Sequence, residues 1–362
     1  KSFMDLHQEP SQGDGGVLFL FTGQGSQYAG MGKELYNENE AFREAMDRCE
    51  SIYKTLTDGE SLLDTIFNTQ DEELVTKNAQ PALVALEWSL ARMWQSNDVT
   101  PSIVLGHSVG EIAAACVAGA MTIETALELA VARARLVHQL PSNNGTMAAV
   151  RCSMEEAQAA MSSCLSEDEQ NLVGVASVNG PNSIVISGVR DVVEKVLHAL
   201  GKNGIHLQVS HAFHSPLMRG MEAEFRRVVE SLDIQQPLTT PIASTVAGRI
   251  LQAGESIDVE HWVKQLASPV LFEDAFMEAM QHSEENDESR RVVEVGPKPV
   301  LSKMARSWWK PNETQSNLLW AISMEQGRPS TLNESLEAIS AALKTETRVA
   351  SAGLSSIFPK RT

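Results

Sequence analysis

The sequence predicts an α/β protein: a large domain on a parallel sheet, interrupted by a small inserted subdomain. Three observations point there. Two short apolar runs, Val17–Phe21 and Ile103–Leu105, each stop at a glycine-bearing turn and lead into helical spacing, the pattern of buried parallel strands. Residues 144–210 read in the order β-α-β-β-α-β, the ferredoxin-like signature. A chain of 362 residues, 43% apolar and 21% charged, is long enough for a large core that carries a smaller one.

The elements follow in order. Residues 1–16 are polar and glycine-rich and read as a leader or linker. Val17–Phe21 is the first strand, and Gly23-Gln24-Gly25-Ser26-Gln27 the loop after it. Met31–Tyr53 carries helical spacing, and Pro81–Trp94 a helix with a strong apolar face. Ile103–Leu105 is the second strand. Gly110–Ala118 opens a helix of small residues, and Ile123–Leu140 is a helix stopped by Pro141. In the insert, Met147–Val150, Leu172–Val178, Ser183–Ser187 and His206–Val209 are strands, and Met154–Ser163 and Asp191–Leu200 helices. A turn falls at Asn179-Gly180-Pro181-Asn182. Pro216–Leu232 is helical; Pro241–Ser244 and Arg291–Val295 are strands that rejoin the large domain. The large domain is therefore 17–143 with 211–330, the insert 144–210, and 331–362 a C-terminal helix and tail.

Charge and cysteine usage narrow the function. Twenty-nine Lys and Arg against 47 Asp and Glu leave a net charge of −18. Nucleic acid phosphates would be repelled, so no nucleic acid partner is expected. An acidic substrate needs an Arg or Lys placed against that field. Cys49, Cys116, Cys152 and Cys164 show no CxxC spacing, which fits a reducing, cytoplasmic setting and neither a disulfide framework nor a metal site. No uncharged run spans a membrane, and the N-terminal residues do not read as a signal peptide.

Chemistry concentrates at VLGHSVGE, residues 104–111. Gly106-His107-Ser108-Val109-Gly110 fits G-x-S-x-G. A serine at a tight strand-to-helix turn is forced outward, and its small neighbours let strand, turn and helix approach closely. The helix N-terminus then offers backbone N–H groups, that of Val109 among them, to developing negative charge. His107 is a poor base for Ser108, because adjacent side chains on a turn diverge; it packs or hydrogen-bonds beside the turn. A serine esterase or thioesterase of α/β-hydrolase type shares this motif, with His261 or His282 as base and Asp233 or Asp258 behind it.

Four separated segments carry a resemblance: FTGQGSQYAGMG at 21–32, GHSVGE at 106–111, HAFHSPLM at 211–218 and EVGPKPVL at 294–301. In this order they resemble the malonyl-CoA:acyl-carrier-protein transacylase family, most of all the acyltransferase domains of polyketide synthases. The resemblance runs from about Val17 to Gln326. It implies an α/β-hydrolase-like core with a ferredoxin-like insert. It also implies malonyl transfer from malonyl-CoA to an acyl carrier protein through a malonyl-Ser108 ester, in polyketide or fatty-acid biosynthesis. Flanking synthase domains are further partners, and malonyl-CoA is a substrate rather than a cofactor; no cofactor or metal is implied.

Residue by residue, the resemblance makes His214 the base, with His211 lining the pocket or holding structure. It makes the backbone carbonyl of Gln265 the orienter of His214, in place of an acid. It gives the oxyanion hole to the N–H groups of Gln24 and Val109. Arg133 clamps the free malonyl carboxylate, while Arg135, two positions on, faces elsewhere. Gln80, His107 and Asn179 line the pocket. HAFH is the malonyl form of a segment that reads YASH in methylmalonyl enzymes, so Phe213 fills the space of a 2-methyl group. Two departures stand out: Lys298, where His is frequent, and the tail SSIFPKRT. A domain that keeps this fold without turnover, acting in docking, is the non-enzyme alternative.

Overall fold

The computed structural model describes residues 16–69, 77–141, 144–285, 291–311, 318–328 and 331–342. The leader up to residue 15, Asn143 at the expected boundary, and the tail from 343, SSIFPKRT included, lie outside them.

Eleven strands form two sheets among these residues: β1 Val17–Phe21, β2 Ile103–Gly106, β3 Gly145–Val150, β4 Val173–Gly180, β5 Ser183–Val189, β6 Ile205–His206, β7 Ile242–Ser244, β8 Arg249–Leu251, β9 Val270–Leu271, β10 Arg291–Val295 and β11 Leu319–Ile322. The large sheet runs β11-β10-β1-β2-β7-β8, parallel throughout except for the antiparallel β7–β8 pair. Its central strands β1 and β2 are apolar on both faces because both are covered. Phe19, Phe21 and Val104 join one core with the helices Glu40–Leu56, Ala79–Ser96 and Ile123–Gln139, while Leu18, Leu20, Ile103 and Leu105 join a second with the helices Phe272–Glu285 and Leu301–Trp308.

The small sheet runs β6-β3-β5-β4-β9. Its first four strands have the ferredoxin-like order, packed against the helices Met154–Cys164 and Arg190–Leu200 around a core of their own. The fifth strand was not foreseen. β9 comes from outside 144–210 and pairs in parallel with β4, Ser177 with Val270 and Val178 with Leu271. The large domain thus contributes an edge strand to the insert, and the two are joined by a backbone ladder as well as by two crossings of the chain.

Other differences are local. The helical run Met31–Tyr53 is broken at Asn39, whose side chain caps Glu40–Leu56 by accepting from the Phe42 N–H. Pro216–Leu232 begins as the 3₁₀ turn Pro216–Met221 and continues as the α-helix Glu222–Ser231. Residues 331–342 are helical. Among the described residues, no helix is long and apolar enough to cross a membrane.

Candidate active site

The site lies at the carboxyl ends of β1 and β2, where ligands gather in open parallel sheets. Ser108 sits between β2 and the helix Gly110–Val117 with φ at +54°, in the left-handed region that costs a non-glycine residue ~1–2 kcal/mol. Close packing holds it there. A Cβ on Gly106 would fall 2.3 Å from the Glu111 nitrogen, and one on Gly110 would fall 2.4 Å from the Thr22 carbonyl oxygen. Only glycine fits at either position.

Behind the turn, Glu111 is fully buried and accepts hydrogen bonds from Ser244 Oγ (2.9 Å) and Thr245 Oγ1 (2.7 Å), with His261 Nε2 3.2 Å away. This network ties the elbow to the end of β7. It also engages His261, one of the two histidines, with His282, that the esterase alternative offers as base for Ser108. Glu111 stands inside the GHSVGE segment, where its spacing alone does not mark it as buried.

His214 is the partner of Ser108. Ser108 Oγ lies 2.6 Å from His214 Nε2, across 106 residues of chain. His214 Nδ1 lies 3.1 Å from the Ser268 carbonyl oxygen, which accepts only, so Nδ1 carries the proton. Nε2 is then the acceptor and Ser108 the donor. His214 also has a positive φ, +53°. Its ring is held well below the ordinary imidazole pKa, at about 3: burial is the main cause, followed by the charges of Arg133 and His107, while the Ser268 and Gln265 carbonyls oppose the shift.

Gln265, the expected orienter, shares this role with Ser268. The carbonyl that accepts from Nδ1 is that of Ser268, three residues beyond Gln265. The Gln265 carbonyl is a second, weaker backbone acceptor for the same ring, and the Gln265 side-chain Nε2 donates to the Ser108 carbonyl oxygen at 2.9 Å. The helix Val259–Ala267 ends between the two residues, and it is its C-cap, Ser268, that presents the carbonyl.

Arg133 lies on the helix Ile123–Gln139 and is 2% exposed. Its Nη1 donates to Gln80 Oε1 at 2.7 Å, its Nε has no partner, and no carboxylate pairs with it among the described residues. Burial alone lowers its pKa to about 10. Its charge reaches His214, as the shift there records.

Gln24 and Val109 lie on touching segments. His107 N–H donates to the Phe21 carbonyl at 2.9 Å, and Gly110 abuts Thr22. Neither the Gln24 N–H nor the Val109 N–H donates to a protein acceptor among the described residues. His107 faces away from Ser108: its Nε2 donates to Asn179 Oδ1 at 3.0 Å, and burial lowers its pKa. Asn179 also accepts from Trp308 Nε1 at 2.8 Å, so it joins the insert to the large domain beside the elbow. Phe213 is buried in the main core, edge-on to His211. Lys298 Nζ lies 5.1 Å above the Tyr28 ring.

Residues 18–342 match the model of the acyl transferase domain family. Polyketide synthase GfsA of Streptomyces halstedii is 41% identical over 313 residues, covering 83% of this chain and 4% of that protein. A PKS-NRPS hybrid synthetase, ATPKS, of Aspergillus niger is 35% identical over 327 residues, covering 85% of this chain and 17% of that protein. The chain therefore spans only a small part of these curated relatives. Among solved structures, the acyltransferase domain from the second module of the salinomycin polyketide synthase superposes with a TM-score of 0.78 at 36% identity, over 89% of this chain and 72% of that one. With that match spread over both sheets and every segment of the site, the chain belongs to the acyl transferase domain family.

Proposed function

We propose that this domain moves a malonyl group from malonyl-CoA to the phosphopantetheine thiol of an acyl carrier protein, through a malonyl ester on Ser108. The carrying observation is Arg133. A guanidinium that is 2% exposed, without a carboxylate partner among the described residues and with Nε unpaired, is costly unless a ligand supplies the anion. The free carboxylate of malonyl fits a planar fork of donors.

In this reading Ser108 Oγ attacks the thioester carbonyl and passes its proton to His214 Nε2. The N–H groups of Gln24 and Val109 hold the oxyanion, and the imidazolium donates to the departing CoA thiolate. The carrier thiol then reverses each step on the ester. The Ser268 carbonyl serves where a triad would use a carboxylate, fixing the tautomer without adding a buried charge. Arg133 also links recognition to catalysis. Its bare charge depresses the base, and a bound carboxylate cancels that charge, so His214 gains basicity only when malonyl is in place. Acetyl-CoA offers no such cancellation. A buried Phe213 favours malonyl over 2-methylmalonyl, and the four free cysteines suit a reducing cytoplasm.

The test is a transfer assay with malonyl-CoA and a panel of holo carrier proteins. Malonyl thioester should form on the carrier with little free malonate; release of malonate as the main product would favour the esterase reading.

A further inference from the structure

Glu87 has no part in that chemistry, yet it is fully buried on the helix Ala79–Ser96, directly beneath the Gln24 loop. Its Oε1 lies 2.5 Å from Thr22 Oγ1, which lies 3.0 Å from Ser26 Oγ, and Ser26 Oγ donates to the Gly23 carbonyl at 2.8 Å. Gly23 O and Gln24 N–H belong to one trans peptide, so they point in opposite directions. Whatever fixes the Gly23 carbonyl therefore aims the Gln24 N–H.

We infer that Glu87, Thr22 and Ser26 are positioning residues for the oxyanion-hole peptide Gly23–Gln24, a role that rests on Gln24 donating to the oxyanion as proposed above. Proton counting supports it. Ser26 has one hydroxyl proton and gives it to Gly23 O, so at the Thr22–Ser26 contact Thr22 donates. Thr22 then has none left for Glu87, and Glu87 must donate as the acid. Two facts agree: Glu87 Oε2 is buried without a partner among the described residues, which a carboxylate would not tolerate, and burial, against the lowering effect of the Thr22 contacts and with Glu294 nearby, drives the Glu87 pKa well up. The protons run one way, from Glu87 through Thr22 and Ser26 to the Gly23 carbonyl, and keep the peptide from flipping.

The experiment measures Ser108 acylation in single turnover with two probes, malonyl-CoA and p-nitrophenyl acetate; the second is neutral and does not need Arg133. Ser26→Ala and Thr22→Val should slow acylation by both probes about 10- to 100-fold, less than the roughly 100- to 1,000-fold loss of a whole oxyanion donor. Half-saturation by malonyl-CoA should stay within about twofold. Glu87→Met should be as slow as Thr22→Val, while Glu87→Gln, whose amide donates to Thr22 as the acid does, should restore the rate. Circular dichroism confirms that each variant is folded. Unchanged acylation in folded Ser26→Ala or Thr22→Val overturns the inference. So does a raised half-saturation at unchanged maximal rate, or Glu87→Gln as slow as Glu87→Met. A wild type that reacts with the neutral ester but not with malonyl-CoA refutes the malonyl reading alone, and the ester rates still decide the positioning role. A wild type acylated by neither overturns both.

Discussion

Replacing Arg133 with alanine separates recognition from catalysis. Gln80 occupies Nη1, which leaves the side of the guanidinium bearing the unpaired Nε for the substrate carboxylate. Two charge-assisted hydrogen bonds at ~1.5–3 kcal/mol each give ~3–6 kcal/mol. Arg133→Ala should therefore lower kcat/KM for malonyl-CoA roughly 10²- to 10⁴-fold and raise that for acetyl-CoA relative to it. A second effect follows from charge alone. Arg133 is, after burial, the largest cause of the low His214 pKa, so its removal raises that pKa. The acid limb of kcat/KM, which reports the free enzyme, should shift to higher pH. The assay is carrier-protein malonylation against pH with both CoA esters. A variant with unchanged malonyl kcat/KM would refute the clamp, and an unmoved acid limb would refute the coupling.

Four further outcomes follow. With the pKa of His214 near 3, acylation of Ser108 by a neutral ester should stay flat as pH falls through 6.5 and decline only well below it; a half-point at 6.5 would contradict the buried-base geometry. The same depressed pKa contributes stability that is full above about 6.5 and is lost as pH falls toward 3, readable as a falling Tm in acid. Ser108→Gly should abolish acylation yet stabilise the fold by ~1 kcal/mol, because it relieves a φ of +54°; a lower Tm would argue against strain there. Phe213→Ser should raise kcat/KM for methylmalonyl-CoA relative to malonyl-CoA about 10-fold, and an unchanged ratio would remove Phe213 from substrate choice.

Much of this was legible in the sequence, for physical reasons. A parallel strand covered on both faces reads as an uninterrupted apolar run, so β1 and β2 stand out. Ser108 was legible because strand, turn and helix meet too closely for anything but glycine at 106 and 110. The short elements were not. β9 is two residues long, and its pairing with β4 depends on the fold bringing distant segments together. His214 is legible as the base, but the part of the Ser268 carbonyl beside that of Gln265 is not, because main-chain groups leave no mark in side-chain patterns. Glu87 and Glu111 read as ordinary helix residues, since burial, not spacing, is what makes a carboxyl informative.

The central claim is that Ser108 is a malonyl-loading nucleophile. Incubation with malonyl-CoA, followed by intact mass and peptide mapping, tests it most directly. A single malonyl adduct should appear on Ser108, be discharged by a holo carrier protein and be absent in Ser108→Ala. A folded protein that gains no adduct, or gains it on another residue, would contradict it.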